Sequence, residues 1–234
     1  MEFADKTFVV TGAAGNLGRA VAKHFAERGA RLALLDHNQA RLLQAYGPDH
    51  ANRTCLQVDL TDQASVDQAV GEAAAKFGRI DGLIAIAGGF RMGEQVHELS
   101  DKNWSFLMDI NAGTLLRTVH AVVPRLIGGG GGKIVTVGAR AALAGVAEMG
   151  AYTAAKAAVI RLTEAMSAEL KGHNINVNGV LPSIIDTPEN RQAMPGADPA
   201  KWVAPADLAA VIGFLASDAG RALHGAIVPV SGLS

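Results

Sequence analysis

The feature that most restricts this chain is the alternation of short, wholly apolar segments with longer amphipathic ones. The segments "TFVVTG" (7–12), "ARLALLD" (30–36), "TCLQVD" (54–59), "DGLIAIAG" (81–88), "GKIVTVG" (132–138), "INVNGVLP" (175–182) and "GAIVPVSG" (225–232) read as strands. Between them lie helical patterns such as "NLGRAVAKHFAERG", with Leu17, Val21 and Phe25 on one side, and "AYTAAKAAVIRLTEAMSAELKG". Strands that are apolar on both faces need cover on both faces, and alternation with helices supplies it through parallel crossovers. The expectation is one α/β domain over residues 1–234, a doubly wound parallel sheet of about seven strands with helices on both sides.

The remaining composition narrows the function classes. A net charge of -1 provides no basic field for nucleic acid or an anionic membrane. The opening "MEFADKTFVVTGAAG" has no basic leader or apolar core of a signal peptide, and no apolar run reaches the roughly 20 residues that span a bilayer. A cytoplasmic protein is the expectation. Cys55 sits in a strand pattern, as a buried thiol would, and the seven histidines fall in no ligand spacing, so no metal site is expected. Gly29, Gly78 and Gly172 stand where left-handed residues end helices, and "GGGGG" (128–132) reads as a flexible loop before the fifth strand.

The stretch "VVTGAAGNLGRA" passes from the first strand through a glycine-rich turn into the first helix. Backbone N–H groups and the positive end of a helix meet a pyrophosphate in such a turn, with Gly12 and Gly15 allowing close approach and Gly18 letting the helix pack on the strand. Asp36 ends the second strand, where a carboxylate accepts both hydroxyls of an adenosine ribose and repels a 2′-phosphate. NAD(H) is therefore favoured over NADP(H), with a helix cap or turn residue as the alternative role for Asp36 and Arg41 as a nearby cation. Asp59, in "VDLTD", reads either an adenine amino group or caps the helix starting near Thr61.

Farther along, "DINAG" (109–113), "YTAAK" (152–156) and "VLPSIIDT" (180–187) join "TGAAGNLG", Asp36, "VDLTD" and Ala87-Gly88 in an order that resembles the short-chain dehydrogenase/reductase family over essentially the whole chain. The resemblance implies a Rossmann-type domain and a nicotinamide cofactor held by Gly12, Gly15, Asn16, Leu17, Gly18, Asp36, Asp59, Leu60, Ala87, Gly88, Tyr152, Lys156, Pro182, Ile185 and Thr187. It implies Tyr152 as acid-base residue, Lys156 as its cationic partner, and Asn111 in a proton relay. Tyr152 and Lys156 are neighbours on one helix face, where an ammonium would lower the phenol pKa; away from such a context the same spacing is usually a surface pair. Assembly as a homodimer or homotetramer through helices at about 100–127 and 152–171 is implied as well.

Three departures stand out. Ala85 and Ile86 replace polar residues at the fourth strand's end; Gly15-Asn16 replaces a small residue followed by glycine; and Ala139 occupies the position of the family's serine. A missing donor of that kind typically costs about 100- to 1,000-fold in rate. With "AGGF" and "DTPENRQAMPGAD", the "GARAAL" segment is similar to the dihydropteridine reductase branch, which implies a conjugated, quinonoid substrate reduced with NADH. An alcohol dehydrogenase or ketoreductase without the serine, and a dinucleotide-binding protein without catalysis, are the alternatives. The segment at about 183–203 is expected to form a substrate-side flap. Phe90 (stacking on substrate or buried in the core), Ala139, Arg140, Arg191 and Met194 are the substrate-side candidates, with Trp202 either lining the flap or packing.

Overall fold

A computed structural model describes residues 2–233. Seven strands form one sheet: β1 (Thr7–Thr11), β2 (Arg31–Asp36), β3 (Arg53–Gln57), β4 (Gly82–Ala85), β5 (Gly132–Val137), β6 (Ile175–Pro182) and β7 (Ile227–Val230). Their order is β3-β2-β1-β4-β5-β6-β7 and every pairing is parallel. This is the expected α/β Rossmann-like, doubly wound architecture. The winding reverses between β1 and β4, which opens a crevice beyond their carboxyl ends.

Alternate strand residues face two apolar layers. Phe8 and Val10 pack with helices α1 (Asn16–Ala26) and α8 (Pro205–Ala216), whereas Val9 packs with α3 (Gln63–Phe77) and α5 (Thr114–Gly128). Phe3 stacks on Phe25 at 4.6 Å between ring centroids, and Phe8 meets Phe25 edge-on at 4.8 Å, which fixes α1 against the amino end of the sheet. Each fully buried phenylalanine contributes about 2–3 kcal/mol of transfer free energy.

Some local expectations change. Asn38 caps α2 (Gln39–Tyr46) through the Arg41 N–H, and Asp62 caps α3 through the N–H groups of Ala64 and Ser65, so neither Asp36 nor Asp59 is a helix cap. Asp59 instead accepts the backbone N–H of Thr61 at 2.8 Å and its hydroxyl at 2.6 Å. Gly29 and Gly78 take positive φ, but Gly172 does not; Asn174, with φ of 57°, makes the left-handed turn after α6 (Gly150–Leu170). The run of glycines is a tight connection rather than an open loop, because Gly129, Gly130 and Gly131 donate back to the carbonyls of Arg125, Ile127 and Leu126. The long helix expected at 100–127 is broken into α4 (Asp101–Met108), a π-helical turn (Asp109–Gly113) and α5.

Candidate active site

At the mouth of the crevice, Gly12 takes φ of +64°, and a Cβ there would stand 3.1 Å from the Ala87 Cα. A Cβ on Gly18 would lie 2.3 Å from the Gly12 carbonyl oxygen, so the first turn of α1 rests directly on the loop that precedes it. Gly15 precedes α1 without a side-chain cap and its first turn holds no acidic residue, leaving the opening N–H groups for an anion. Asp36 is buried; its Oδ2 accepts the Ala14 N–H at 2.9 Å and its Oδ1 accepts the Asn38 N–H at 3.2 Å. His37 Nδ1 also lies 3.1 Å from Oδ1. The strand ends that lack polar residues at Ala85 and Ile86 are joined by Thr11, whose hydroxyl accepts the N–H groups of Ile86 at 3.1 Å and Ala87 at 3.2 Å.

The π-helical turn delivers Asn111. Its amide nitrogen donates to the carbonyls of Leu107 (2.9 Å) and Gly89 (3.0 Å), and its Oδ1 accepts the Gly89 N–H at 3.2 Å. Such turns are found within helices where a functional side chain is re-aimed. A small cavity beside Asn111 is lined by Thr11, Thr114, Thr118 and Thr136 together with apolar residues such as Leu115 and Val159. Gly88 lies between the key groups: a Cβ there would be 2.7 Å from Asn111 Oδ1 and 3.1 Å from Lys156 Nζ. Lys156 is buried, donates to the Val137 carbonyl at 2.9 Å, and burial lowers its pKa to about 8. Tyr152, one turn earlier on α6, is pushed up to about 12 by burial. Burial alone accounts for that rise, so the expected lowering of the phenol by its lysine is not seen in these side chains.

Around Tyr152 the candidates separate. Ala139 is buried in extended conformation at the end of β5, and Arg140 is exposed at the start of a short 3₁₀ turn. Phe90 is 55% exposed and meets Tyr152 edge-on at 4.9 Å, so it belongs to the crevice wall and not to the core. A second cleft beside Tyr152 holds Arg91, Glu94, Asn103 and Glu148, which sequence reading missed. Arg91 donates to Asn103 at 2.8 Å and lies 3.7 Å above the Phe106 ring, while Glu148 adopts a left-handed φ of 60°. Only the neighbouring Tyr152 signals this cleft, because the segments lining it are distant in sequence.

The flap carries its own helix, α7 (Pro188–Ala193), started by Pro188 and capped by the Thr187 hydroxyl. Its ends are joined: Asp186 N–H donates to Val203 and Val203 N–H to Ile184, at 2.8 and 2.9 Å. Trp202 is buried at the base, a packing role. Arg191 makes a two-bond ion pair with Asp186 at 2.6 and 2.7 Å, and its side chain is largely exposed. Met194 ends α7 by donating its N–H to Asn190 and lines neither cleft described above. Asn16 donates to Glu189 at 2.7 Å, linking the flap to the glycine-rich turn. Among the described residues, no three His, Cys, Asp or Glu side chains converge to hold a metal, and no helix is long and apolar enough to cross a membrane.

A family model described as short chain dehydrogenase matches residues 6–197. D-threitol dehydrogenase of Mycolicibacterium smegmatis is 34% identical over 97% of this chain and 92% of its own length. An NAD-dependent glycerol dehydrogenase of Listeria innocua is 31% identical over 97% and 93%, respectively. Among solved structures, an NAD+-bound xylitol dehydrogenase superposes with a TM-score of 0.90 at 27% identity, covering 99% of this chain and 100% of that one. With a family model across most of its length and whole-length relatives at 31% and 34% identity, this chain belongs to the short-chain dehydrogenase/reductase family of NAD(P)-dependent oxidoreductases.

Proposed function

We propose that the protein is an NAD(H)-dependent dehydrogenase that interconverts a polyhydroxylated secondary alcohol and its ketone, with Tyr152 as the acid-base residue. The observation that carries this reading is the convergence of Asn111 Oδ1 and Lys156 Nζ about Gly88, one helical turn from Tyr152. The likeness to threitol, glycerol and xylitol dehydrogenases supports a polyol as substrate.

The donor set suits a dinucleotide. The uncapped start of α1 at Asn16, Leu17 and Gly18, beside Gly12 and Gly15, fits a pyrophosphate, and Asp36 fits ribose hydroxyls. Asp59, Leu60, Ala87, Gly88, Pro182, Ile185 and Thr187 complete the proposed contacts along the strand ends and the flap, with Lys156 toward the nicotinamide ribose. A bound nicotinamide supplies the hydride acceptor or donor. In alcohol oxidation Tyr152 takes the hydroxyl proton, and in ketone reduction it returns one; the Lys156 ammonium favours the phenolate, and Asn111 takes part in a water-mediated relay that carries the proton onward.

Ala139 removes the usual side-chain donor to the substrate oxygen. A polyol brings its own, because a hydroxyl adjacent to the reacting carbon donates to the carbonyl oxygen that forms. A second reading, a planar quinonoid dihydropteridine, is favoured by the exposed ring of Phe90 against Tyr152. Neither threitol, glycerol nor xylitol is of that class, so the polyol reading takes precedence. Assays of NAD+ reduction with threitol, glycerol and xylitol beside NADH oxidation with quinonoid dihydropterin test the two. Turnover confined to the pterin would overturn the polyol assignment. We also propose self-association as a homodimer or homotetramer through α4 and α5, where Trp104, Leu116 and Ile127 are exposed.

A further inference from the structure

The departure at Gly15-Asn16 has a structural partner. Asn16 opens α1 where the family places glycine, and a glycine there would have no side chain to reach outward. Its amide nitrogen donates to Glu189 Oε2 on the flap at 2.7 Å, while its Oδ1 accepts the Arg19 guanidinium at 2.7 Å. Arg19 thereby orients the amide so that its N–H₂ faces the flap. Glu189 is kept ionised by its own backbone N–H, then by Asn16, Thr187 and the Arg41 guanidinium. The bond joins residues 173 positions apart and connects the glycine-rich turn with the flap, which is otherwise fixed at its base by the pairing of Asp186 and Val203.

We propose that Asn16 and Glu189 form a clasp that holds the flap across the pyrophosphate of the bound dinucleotide, so that opening of this bond controls cofactor release. The inference rests on the dinucleotide reading given above. It makes Asn16 and Glu189 positioning residues, with a readout in cofactor dissociation that needs no turnover. A charge-assisted hydrogen bond that is partly open to solvent would slow release by a modest factor.

The test is stopped-flow displacement of NADH, followed by its fluorescence, from the full-length protein and from Glu189→Ala, Asn16→Gly and the double variant. Both positions are at the surface of the crevice, and Glu189 is exposed. Each single variant is expected to release NADH about three- to tenfold faster, and the double variant no faster than the singles, because one bond is lost in all three. Glu189→Gln retains an acceptor and falls between wild type and Glu189→Ala. Wild-type protein that binds NADH, with release unchanged or slowed in both single variants, would overturn the clasp alone. A wild-type protein that binds no NADH would overturn the dinucleotide reading and the clasp with it.

Discussion

Lys156 Nζ donates to the Val137 carbonyl at 2.9 Å and is buried there, joining α6 to the end of β5. Among the described residues no carboxylate pairs with it, and burial lowers its pKa from the ordinary value of 10.5 to about 8. In the unfolded chain the ammonium persists to the higher value. Between pH 8 and 10 the unfolded state binds a proton that the folded state has released, so this residue makes stability rise with pH across that window. Below pH 8 the fold carries the full cost of the buried charge.

Lys156→Met should remove that slope. Urea midpoints at pH 7.5 and 10 are expected to show wild type gaining about 2 kcal/mol relative to the variant. Parallel pH profiles would mean that the ammonium is solvated in the fold.

Gly88→Ala should be damaging in a specific way. The added Cβ meets Asn111 Oδ1 at 2.7 Å and Lys156 Nζ at 3.1 Å, forcing both aside. A loss of about 1–3 kcal/mol in stability is expected from overpacking. The rate should fall about 100-fold, because displacement by about 1 Å at a reacting centre has that consequence. Wild-type kcat in a folded Gly88→Ala variant would show that the geometry about this glycine does not matter.

Much of the fold was legible in the sequence. Strand positions followed from apolar runs bounded by turn residues and the glycine-rich turn from its place between strand and helix, whereas Asn111, Tyr152 and Lys156 were singled out by resemblance to the family. What escaped has common physical causes. Asp59 and Asp62, like Asp36 and Asn38, offer equivalent side chains within three residues, and only the direction of the chain decides which one caps the helix. Asn174 makes the left-handed turn expected of Gly172, two residues earlier. Asp186, five residues earlier, ties the Arg191 guanidinium in an ion pair that neither residue's sequence position announces. The cleft of Arg91 and Glu148 joins segments with no sequence signal in common.

Asp36→Asn tests cofactor choice. It keeps an acceptor for one of the two N–H groups, Ala14 or Asn38, that the carboxylate holds, and removes the charge that opposes a 2′-phosphate. The ratio of NADPH to NADH dissociation constants should fall at least about tenfold, measured by fluorescence titration. An unchanged ratio would place the discrimination elsewhere.

Ala139→Ser tests the claim that substrate hydroxyls replace the missing donor. Simple ketones should gain about 100-fold in kcat/KM, whereas hydroxyketones should gain much less. Equal gains on both would contradict a donor supplied by the substrate.

The central claim is that Tyr152 moves the proton in a polyol oxidation driven by NAD+. Comparison of wild type with Tyr152→Phe for NAD+ reduction by threitol or xylitol, alongside NADH binding by each, addresses it most directly. The account predicts wild-type turnover, a loss of about 100- to 10,000-fold in kcat for the variant, and NADH dissociation constants within about twofold of one another. Near-wild-type turnover by Tyr152→Phe would contradict it.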